Sequence, residues 1–247
     1  MLEPRLIEIL ESFFEIEDVH IPANLIRVRK KLLEFLRIEE NILAPVTDEN
    51  LLTAKDLVRL IDAYNIYTTT SDRMASSDCL GPLFDRLLTY DDWGYYDLLL
   101  LSDALMFAPT AEFAIELGAK SIMPLVNVRL AASSDIIQAK IASSICSRLL
   151  YAKYFDETVT VDLEEKFMTW FKKLERLTEN NQVLARSYLH NQVRHALFYQ
   201  NQEEIFRLCD AVKADTREQN ANSVISTVSF YTSSPKYNAM LHRGVSE

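Results

Sequence analysis

The chain of 247 residues carries a formal net charge of −10, from 36 acidic and 26 basic residues, and contains only four glycines and seven prolines. Such a scarcity of turn-forming residues disfavours β-sandwiches, barrels and glycine-loop nucleotide folds, and it favours long helices with short connections. An acidic chain repels the phosphate backbone, so we do not expect it to bind nucleic acid through its overall electrostatic field.

The cysteine spacing and the short apolar runs limit the cellular compartments in which the protein is expected. Cys79, Cys146 and Cys209 are widely spaced and form no C-x-x-C pair, which favours free thiols in a reducing cytoplasm over disulfides or a zinc site. The sequence opens without a basic segment followed by an apolar one, so no secretory signal is expected. Its apolar runs are far shorter than the roughly 18 residues of a membrane span. We therefore expect a cytoplasmic protein with no membrane contact and no cofactor.

Apolar spacing predicts two helices in an N-terminal segment, residues 1–46. Pro4 suits the first turn of a helix over Glu3–Glu17, and Ile21-Pro22 restarts the chain for a second helix. The apolar face of that second helix includes Ile26. Its opposite face is basic and comprises Arg27, Arg29, Lys30, Lys31 and Arg37. This basic stripe is either a solvated face or a surface that docks an acidic or nucleic-acid partner.

The next segment combines a helix with a polar stretch. Thr53 is a candidate N-cap for a third helix whose apolar face runs to Tyr64. The small polar residues at 68–72 and 76–78, closed by Gly81-Pro82, predict a loop.

The stretch Arg86–Phe107, RLLTYDDWGYYDLLLLSDALMF, predicts a buried helix. Asp91 or Asp92 is a candidate N-cap, and Trp93 begins an apolar face that Leu98–Leu101 widens most of the way round. A helix that is apolar on nearly all sides is buried between neighbouring helices. We therefore predict a central helix in an all-α core.

Further helices follow, with Thr110 and Asp162 as caps. They are predicted from Phe113 to Leu125, from Ser133–Asp135 to Leu150, from Leu163 to Leu174, over Asn181–Gln200 and over Glu203–Val212. Helix pairs at a spacing of about 40 residues predict paired antiparallel helices, stacked as a degenerate TPR-like solenoid over residues 47–215. Residues 216–247 form a polar C-terminal tail with a β-prone patch, Val224–Tyr231. A short strand, a segment packed along the solenoid and a disordered tail are all compatible with it.

The segment Leu87–Leu105 resembles the C-terminal domain of the Rgg/GadR/MutR regulators of Gram-positive bacteria. In that family an aromatic W-[GT]-x-Y-[ED] motif opens a hydrophobic helix, as Trp93-Gly-Tyr-Tyr-Asp97 does here. The later stretch from Thr110 through Phe113-Ala-Ile-Glu-Leu-Gly to Lys120 is similar to the same domain. The match is concentrated between about Leu51 and Val126.

The resemblance implies a repeat-like helical domain that dimerises and accepts a short signalling peptide on a concave face. Family members also carry an N-terminal helix-turn-helix that binds promoter DNA. This sequence departs from the family there, because nothing before Pro45 shows the tight turn or the spacing of a helix-turn-helix. DNA binding is therefore expected only through a helix-turn-helix domain that this chain lacks.

Polar residues on two predicted helices are candidates for peptide binding. An Asn amide can grip a peptide bond bidentately and an Arg can hold a carboxylate or carbonyl, while Tyr can stack on apolar side chains. The candidates are Asn127, Arg129, Arg148, Tyr151, Arg186, His190, Asn191 and Arg194. A solvated polar stripe, and an Arg148 whose stem covers the core, are the competing interpretations. His190 and His195 are spaced too poorly for a metal pair, and Cys146 and Cys209 are expected in the core.

Three classes of function are weighed. The first is a ligand-sensing regulatory domain that binds a short peptide and forms a homodimer. The second is a helical-repeat scaffold that binds another protein, with no peptide ligand and no DNA binding of its own. The third, an enzyme, is disfavoured because the sequence contains no G-x-S-x-G, H-E-x-x-H or glycine-rich phosphate loop.

Overall fold

Every regular element in the described part of the chain is a helix. The structure is a computed structural model that describes residues 3–14, 22–40, 49–90, 92–122, 131–155, 159–179, 185–214 and 218–243. Over these ranges the predicted all-α class is confirmed. The described helices, numbered in chain order, are α1 (Pro4–Phe14), α2 (Pro22–Glu40), α3 (Glu49–Thr70), α4 (Arg73–Thr89), α5 (Tyr95–Ala104), α6 (Ala111–Lys120), α7 (Ala131–Phe155), α8 (Leu163–Thr178), α9 (Ala185–Phe198), α10 (Gln202–Ala214), α11 (Glu218–Thr232) and α12 (Pro235–Arg243).

Internal packing divides the chain into two units. Unit 1 comprises Met1–Pro109 and Lys120–Val128, and unit 2 comprises Thr110–Ala119 and Arg129–Glu247. In unit 1, α1 packs on α2, α2 on α3 and α3 on both α4 and α5; in unit 2, α7 packs on α8, α9 and α12, and α10 packs on α9 and α11. The sequence-based boundaries after residues 46 and 215 stay a prediction.

Helix α5 is buried as predicted, but its start differs. Leu98, Leu100 and Leu101 have no exposed surface. The helix begins at Tyr95, and Gly94 is its N-cap, so the prediction that Asp92 caps it is wrong; Asp91 lies outside the described residues. The backbone N–H of Gly94 donates to Asp97 Oδ2 at 2.9 Å, so the carboxylate that fixes the start lies inside the first turn.

The loop predicted between residues 68 and 82 is wrong except at Ser71-Asp72. Helix α3 begins at Glu49, which places Thr53 inside it, and it continues through Thr70. The hydroxyls of Thr68, Thr69 and Thr70 each donate to a carbonyl four residues earlier, so they do not compete with the helical backbone. Asp72 then caps α4 by accepting from the N–H of Ala75 at 2.9 Å.

Pro82 lies inside α4 because it occupies the solvent side. A proline there removes the donor for the carbonyl of Asp78, and both residues are exposed, so water can replace that donor. Gly81 precedes it and has no Cβ to crowd the proline ring in a helical conformation. The pair that predicts a break is therefore accommodated within the helix.

The basic residues of α2 have different surroundings in the structure. Arg27, Lys30 and Lys31 are exposed, whereas Arg29 pairs with Asp62 of α3 through contacts of 2.6 and 3.2 Å. Ile26 is 60% exposed, so its placement on the apolar face is wrong. The side chain of Arg37 lies outside the described part.

A buried ion network joins three helices of unit 1. Asp56 on α3 is 1% exposed; it accepts from Arg59 at 2.7 Å and from Arg86 Nε of α4 at 2.7 Å. Arg86 Nη1 also contacts Asp97 Oδ1 of α5 at 2.7 Å. Burial raises the pKa of the Asp56 carboxyl, and the charges of the two arginines oppose that shift. A single carboxylate thus links α3 to α4, and Arg86 extends the link to α5.

Two helices of unit 2 begin at their predicted N-caps. Thr110 accepts from the N–H of Phe113 at 3.1 Å and Asp162 accepts from the N–H of Glu165 at 3.0 Å, so both predicted N-caps are confirmed.

A Cβ on Gly118 of α6 would overlap Ile145 Cδ1 and lie 3.2 Å from the ring of Trp170. Glycine therefore permits α6 to approach this closely. Helix α6 ends at Lys120 and Ser121 is a turn, so the prediction of one continuous helix from Phe113 to Leu125 is wrong beyond Lys120.

The C-terminal residues form two helices, so the strand and disordered-tail alternatives are wrong for residues 218–243. Val224 and Tyr231, seven residues apart on one face of α11, are 2% and 8% exposed. Tyr237 of α12 is 1% exposed. Packing of this face outweighs the β propensity of the local sequence, and the segment lies against other helices of unit 2.

The solvent-side proline gives a direct test of helix α4. Pro82→Ala should raise the free energy of unfolding by up to about 3 kcal/mol, because proline is that much less favourable than alanine inside a helix. Chemical denaturation monitored by circular dichroism measures the change. Pro4→Ala is the matched control and should change little, since proline is tolerated in a first turn. An unchanged or lower stability of Pro82→Ala would contradict a continuous α4.

The ion network predicts unequal costs for two aspartates on α3. Asp56→Ala should lower the free energy of unfolding by about 1–3 kcal/mol, because Arg59 and Arg86 each lose a hydrogen bond to this buried carboxylate while Arg86 keeps its contact with Asp97. Asp62→Ala removes a similar arginine pair whose side chains are 37% and 32% exposed, and it should cost less than about 1 kcal/mol. Equal costs in urea denaturation would show that burial of Asp56 does not matter.

Candidate functional site

The predicted peptide-binding residues that the structure describes lie on α7 and α9 of unit 2. Arg148 and Tyr151 belong to α7, and His190, Asn191 and Arg194 belong to α9, which packs against it. Asn127 and Arg129 lie outside the described residues. Arg186 lies on α9, but its side chain is outside the described part. The structure therefore brings part of the predicted set to one helix pair.

Three side chains form a polar seam between these helices: Ser143, Asn191 and Arg194. The Ser143 hydroxyl donates to Asn191 Oδ1 at 3.0 Å. Arg194 Nη1 donates to the same oxygen at 2.7 Å and to Ser143 Oγ at 2.9 Å. Asn191 has no exposed surface, whereas Arg194 is half-buried. Asn191 therefore holds α7 to α9 from inside, and Arg194 connects the seam to the outer side.

A neutral thiol lies beside the seam. Cys146 is fully buried, as expected, and burial raises its pKa to about 12 although the Arg194 charge opposes the shift. Burial also raises the pKa values of Cys79 and Cys209, and Cys209 is only half-buried. Because the thiolate is the nucleophilic form, none of these environments favours a reactive cysteine at neutral pH.

Arg148 is buried more deeply than a solvated or snorkelling arginine. Its side chain has no exposed surface, and its guanidinium carbon lies 5.7 Å from the ring centroid of Tyr151. That distance allows a cation–π attraction between the guanidinium and the ring. A peptide on the surface would meet Tyr151, which is half-buried, before it met Arg148.

Aromatic residues continue the site along the last turns of α7. Tyr151 stacks on Phe155 at 4.8 Å, and Phe230 of α11 lies 4.8 Å from Phe155 and 6.4 Å from Tyr151. Phe155 and Phe230 are not among the residues predicted from the sequence. Phe155 is seven residues after Arg148 on the same face of α7, a spacing that the sequence alone contains. Nothing local in the sequence places Phe230 there.

The two histidines of α9 have different surroundings. His195 lies 4.5 Å from Phe171 and 4.8 Å from Tyr199, and burial lowers its pKa although Glu175 and Glu204 oppose that shift. His190 is half-buried. Within the ranges that the structure covers, no three His, Cys, Asp or Glu side chains are grouped to hold a metal ion. His195 is thus part of an aromatic cluster.

Comparisons with known proteins add no identity. No protein-family model, no curated protein and no solved structure matches the chain. Among the described helices, none is both long and apolar enough to cross a membrane. The candidate site itself offers hydrogen-bond donors and stacked aromatic rings, which are groups suited to binding.

The polar seam predicts energetic coupling between its members. Asn191→Ala should lower the free energy of unfolding by about 1–3 kcal/mol, because Ser143 and Arg194 lose a buried acceptor. Ser143→Ala should cost less in the Asn191→Ala background than in the wild type, by at least about 0.5 kcal/mol. A double-mutant cycle in urea measures this difference. Strict additivity would mean that the seam does not act as a unit.

Proposed function

We propose that the chain is a ligand-sensing regulatory module that binds a short peptide across α7 and α9. The observation that carries the proposal is the position of Arg194, which is half-buried and donates to both Ser143 and Asn191. Tyr151 and His190 are also half-buried on the same two helices. A peptide that touches these three side chains would act on the seam between the helices.

Binding would change the seam through competition for the Arg194 guanidinium. A peptide carboxylate or carbonyl can accept the charge-assisted hydrogen bonds that Arg194 now makes to Ser143 and Asn191. Asn191, which accepts from Ser143 of α7 and from Arg194, then acts as an internal connector of the two helices. Peptide would favour the helix arrangement in which Arg194 faces the ligand, which is a population shift between two states.

The finer features of the proposal come from the sequence: from the spacing of the helix pairs, from the widely spaced cysteines and from the resemblance in Leu51–Val126. They are paired antiparallel helices in a TPR-like solenoid, a homodimer and a cytoplasmic regulator of the Rgg type. Promoter binding would require a helix-turn-helix domain outside this chain.

A protein-interaction scaffold is the second candidate, and exposed apolar side chains favour it. Phe206 on α10 is 67% exposed. In unit 1, Tyr90 is 60% exposed, and Leu88 and Tyr95 are each 37% exposed. Aromatic residues are enriched at protein interfaces, so such positions suit contact with a protein surface.

Thermal unfolding with short peptides from the host's culture fluid tests the proposal. A peptide at 100 times its Kd should stabilise the native chain by about 2.7 kcal/mol and raise Tm by roughly 2–4 °C. Arg194→Lys keeps the charge but loses the planar fork, so it should weaken the response.

The control is Lys31→Ala on α2, an exposed cation outside the proposed site, which should respond as the wild type does. A flat response of the wild type to every peptide would contradict peptide sensing and favour the scaffold.

A further inference from the structure

The segment Phe230–Tyr237, the docking segment, is held by contacts that depend on its side chains. Tyr237 is 1% exposed, and its ring lies 5.1 Å from that of Tyr154 on α7. Gln202 Nε2 donates to the Tyr237 hydroxyl oxygen at 2.6 Å. Gln200 Nε2 donates to the Tyr237 carbonyl at 2.9 Å. The hydroxyl oxygen and the backbone carbonyl of Tyr237 therefore each accept a hydrogen bond from a glutamine amide.

Gln200 adopts a backbone conformation that ordinary residues avoid. Its φ is 55°, and its N–H and that of Asn201 bond back to Leu197 and Ala196 at 3.2 and 2.9 Å, which ends α9 in a Schellman motif. Glycine is the usual residue at this position because it has no Cβ. Glutamine supplies the amide that Tyr237 needs, which gives a physical reason for its presence there.

The rest of the docking segment adds a hydroxyl and aromatic contacts. Ser234 is 2% exposed and donates to the Tyr154 carbonyl at 3.1 Å. Phe230 lies 4.8 Å from Phe155, beside Tyr151, one of the proposed peptide contacts. The chain's own C-terminal residues thus occupy the aromatic end of α7 with the groups that a peptide ligand would use.

The helices that carry the docking segment are weak on their own. Helix α11, EQNANSVISTVSFYT, is rich in Ser, Thr, Asn, Val and Ile, which have low helix propensity, and α12 has only nine residues. Isolated helices shorter than about 12–15 residues are marginal in water. Their order therefore depends on packing against other helices of unit 2, to which the docking segment contributes, so release of Tyr237 would loosen α12 and the end of α11.

We propose that Tyr154, Gln200 and Gln202 form a binding site for a tyrosine-anchored peptide, and that the docking segment is its internal occupant. An external ligand of this class carries a tyrosine and, a few residues before it, a serine and an aromatic residue. It enters by replacing Phe230–Tyr237. Because only chains whose site is open can bind it, its apparent dissociation constant rises as the open fraction falls. The link to α7–α9 signalling rests on the proposed function.

Binding of the chain's own segment in trans tests the site. The probe is a fluorescein-labelled peptide, SFYTSSPKYNA, which copies residues 229–239. Fluorescence anisotropy compares the wild-type full chain with full-chain Tyr237→Ala and Tyr237→Phe. Tyr237→Phe keeps the ring and removes only the hydroxyl, so it serves if Tyr237→Ala fails to fold. We expect binding to the variants at least tenfold tighter than to the wild type.

A probe whose tyrosine at the 237 position is replaced by alanine is the matched control and should bind at least tenfold more weakly to each variant. Equal binding to wild type and variants, or binding to none of them, overturns the proposal. If host peptides stabilise wild type and Tyr237→Phe alike while the probe binds neither, the proposed function stands and this site does not. Probe binding to Tyr237→Phe without stabilisation by any host peptide retains this site and removes the proposed function.

Discussion

The buried carboxylate of Asp56 is the constraint on which unit 1 depends. It accepts hydrogen bonds from Arg59 and Arg86, and Arg86 also reaches Asp97, whose second oxygen caps α5. Removing charge from water is costly, so such a network contributes less net stability than its short distances suggest. An arrangement of α3, α4 and α5 that broke it would leave charge unpaired. The network therefore selects one packing of these helices.

Cationic side chains donate to carbonyls at the ends of several helices or just beyond them. Arg73 donates to the carbonyls of Met106 and Ala108, after α5. Lys120 donates to Leu87 and Leu88 near the end of α4, at 3.1 and 2.6 Å. In unit 2, Lys153 donates to Phe198, the last residue of α9. Because helix C-termini carry partial negative charge, a nearby cation stabilises them.

The sequence predicts the helical class and most helix positions because apolar spacing and short capping side chains are local signals. The predictions of a buried helix at Leu98–Leu101 and of an N-cap at Asp162 are correct for that reason. The error at Gly81-Pro82 and the open alternatives at Val224–Tyr231 have a different source, because the exposure of Pro82 and the packing of Tyr231 depend on distant parts of the chain. The same distinction holds for the candidate site. Helices α7 and α9 are predicted from the sequence, but the burial of Asn191 and the position of Phe230 depend on tertiary packing.

The two tryptophans lie in different units, Trp93 in unit 1 and Trp170 in unit 2. Both are nearly enclosed, at 5% and 7% exposure, and each has a lysine ammonium over its ring: Lys120 at 5.5 Å and Lys173 at 5.1 Å. Indole emission responds to solvent and to nearby charge, so each ring is an intrinsic optical reporter of its own unit. With one indole replaced by phenylalanine, the remaining emission would follow the loosening of a single unit without an added dye.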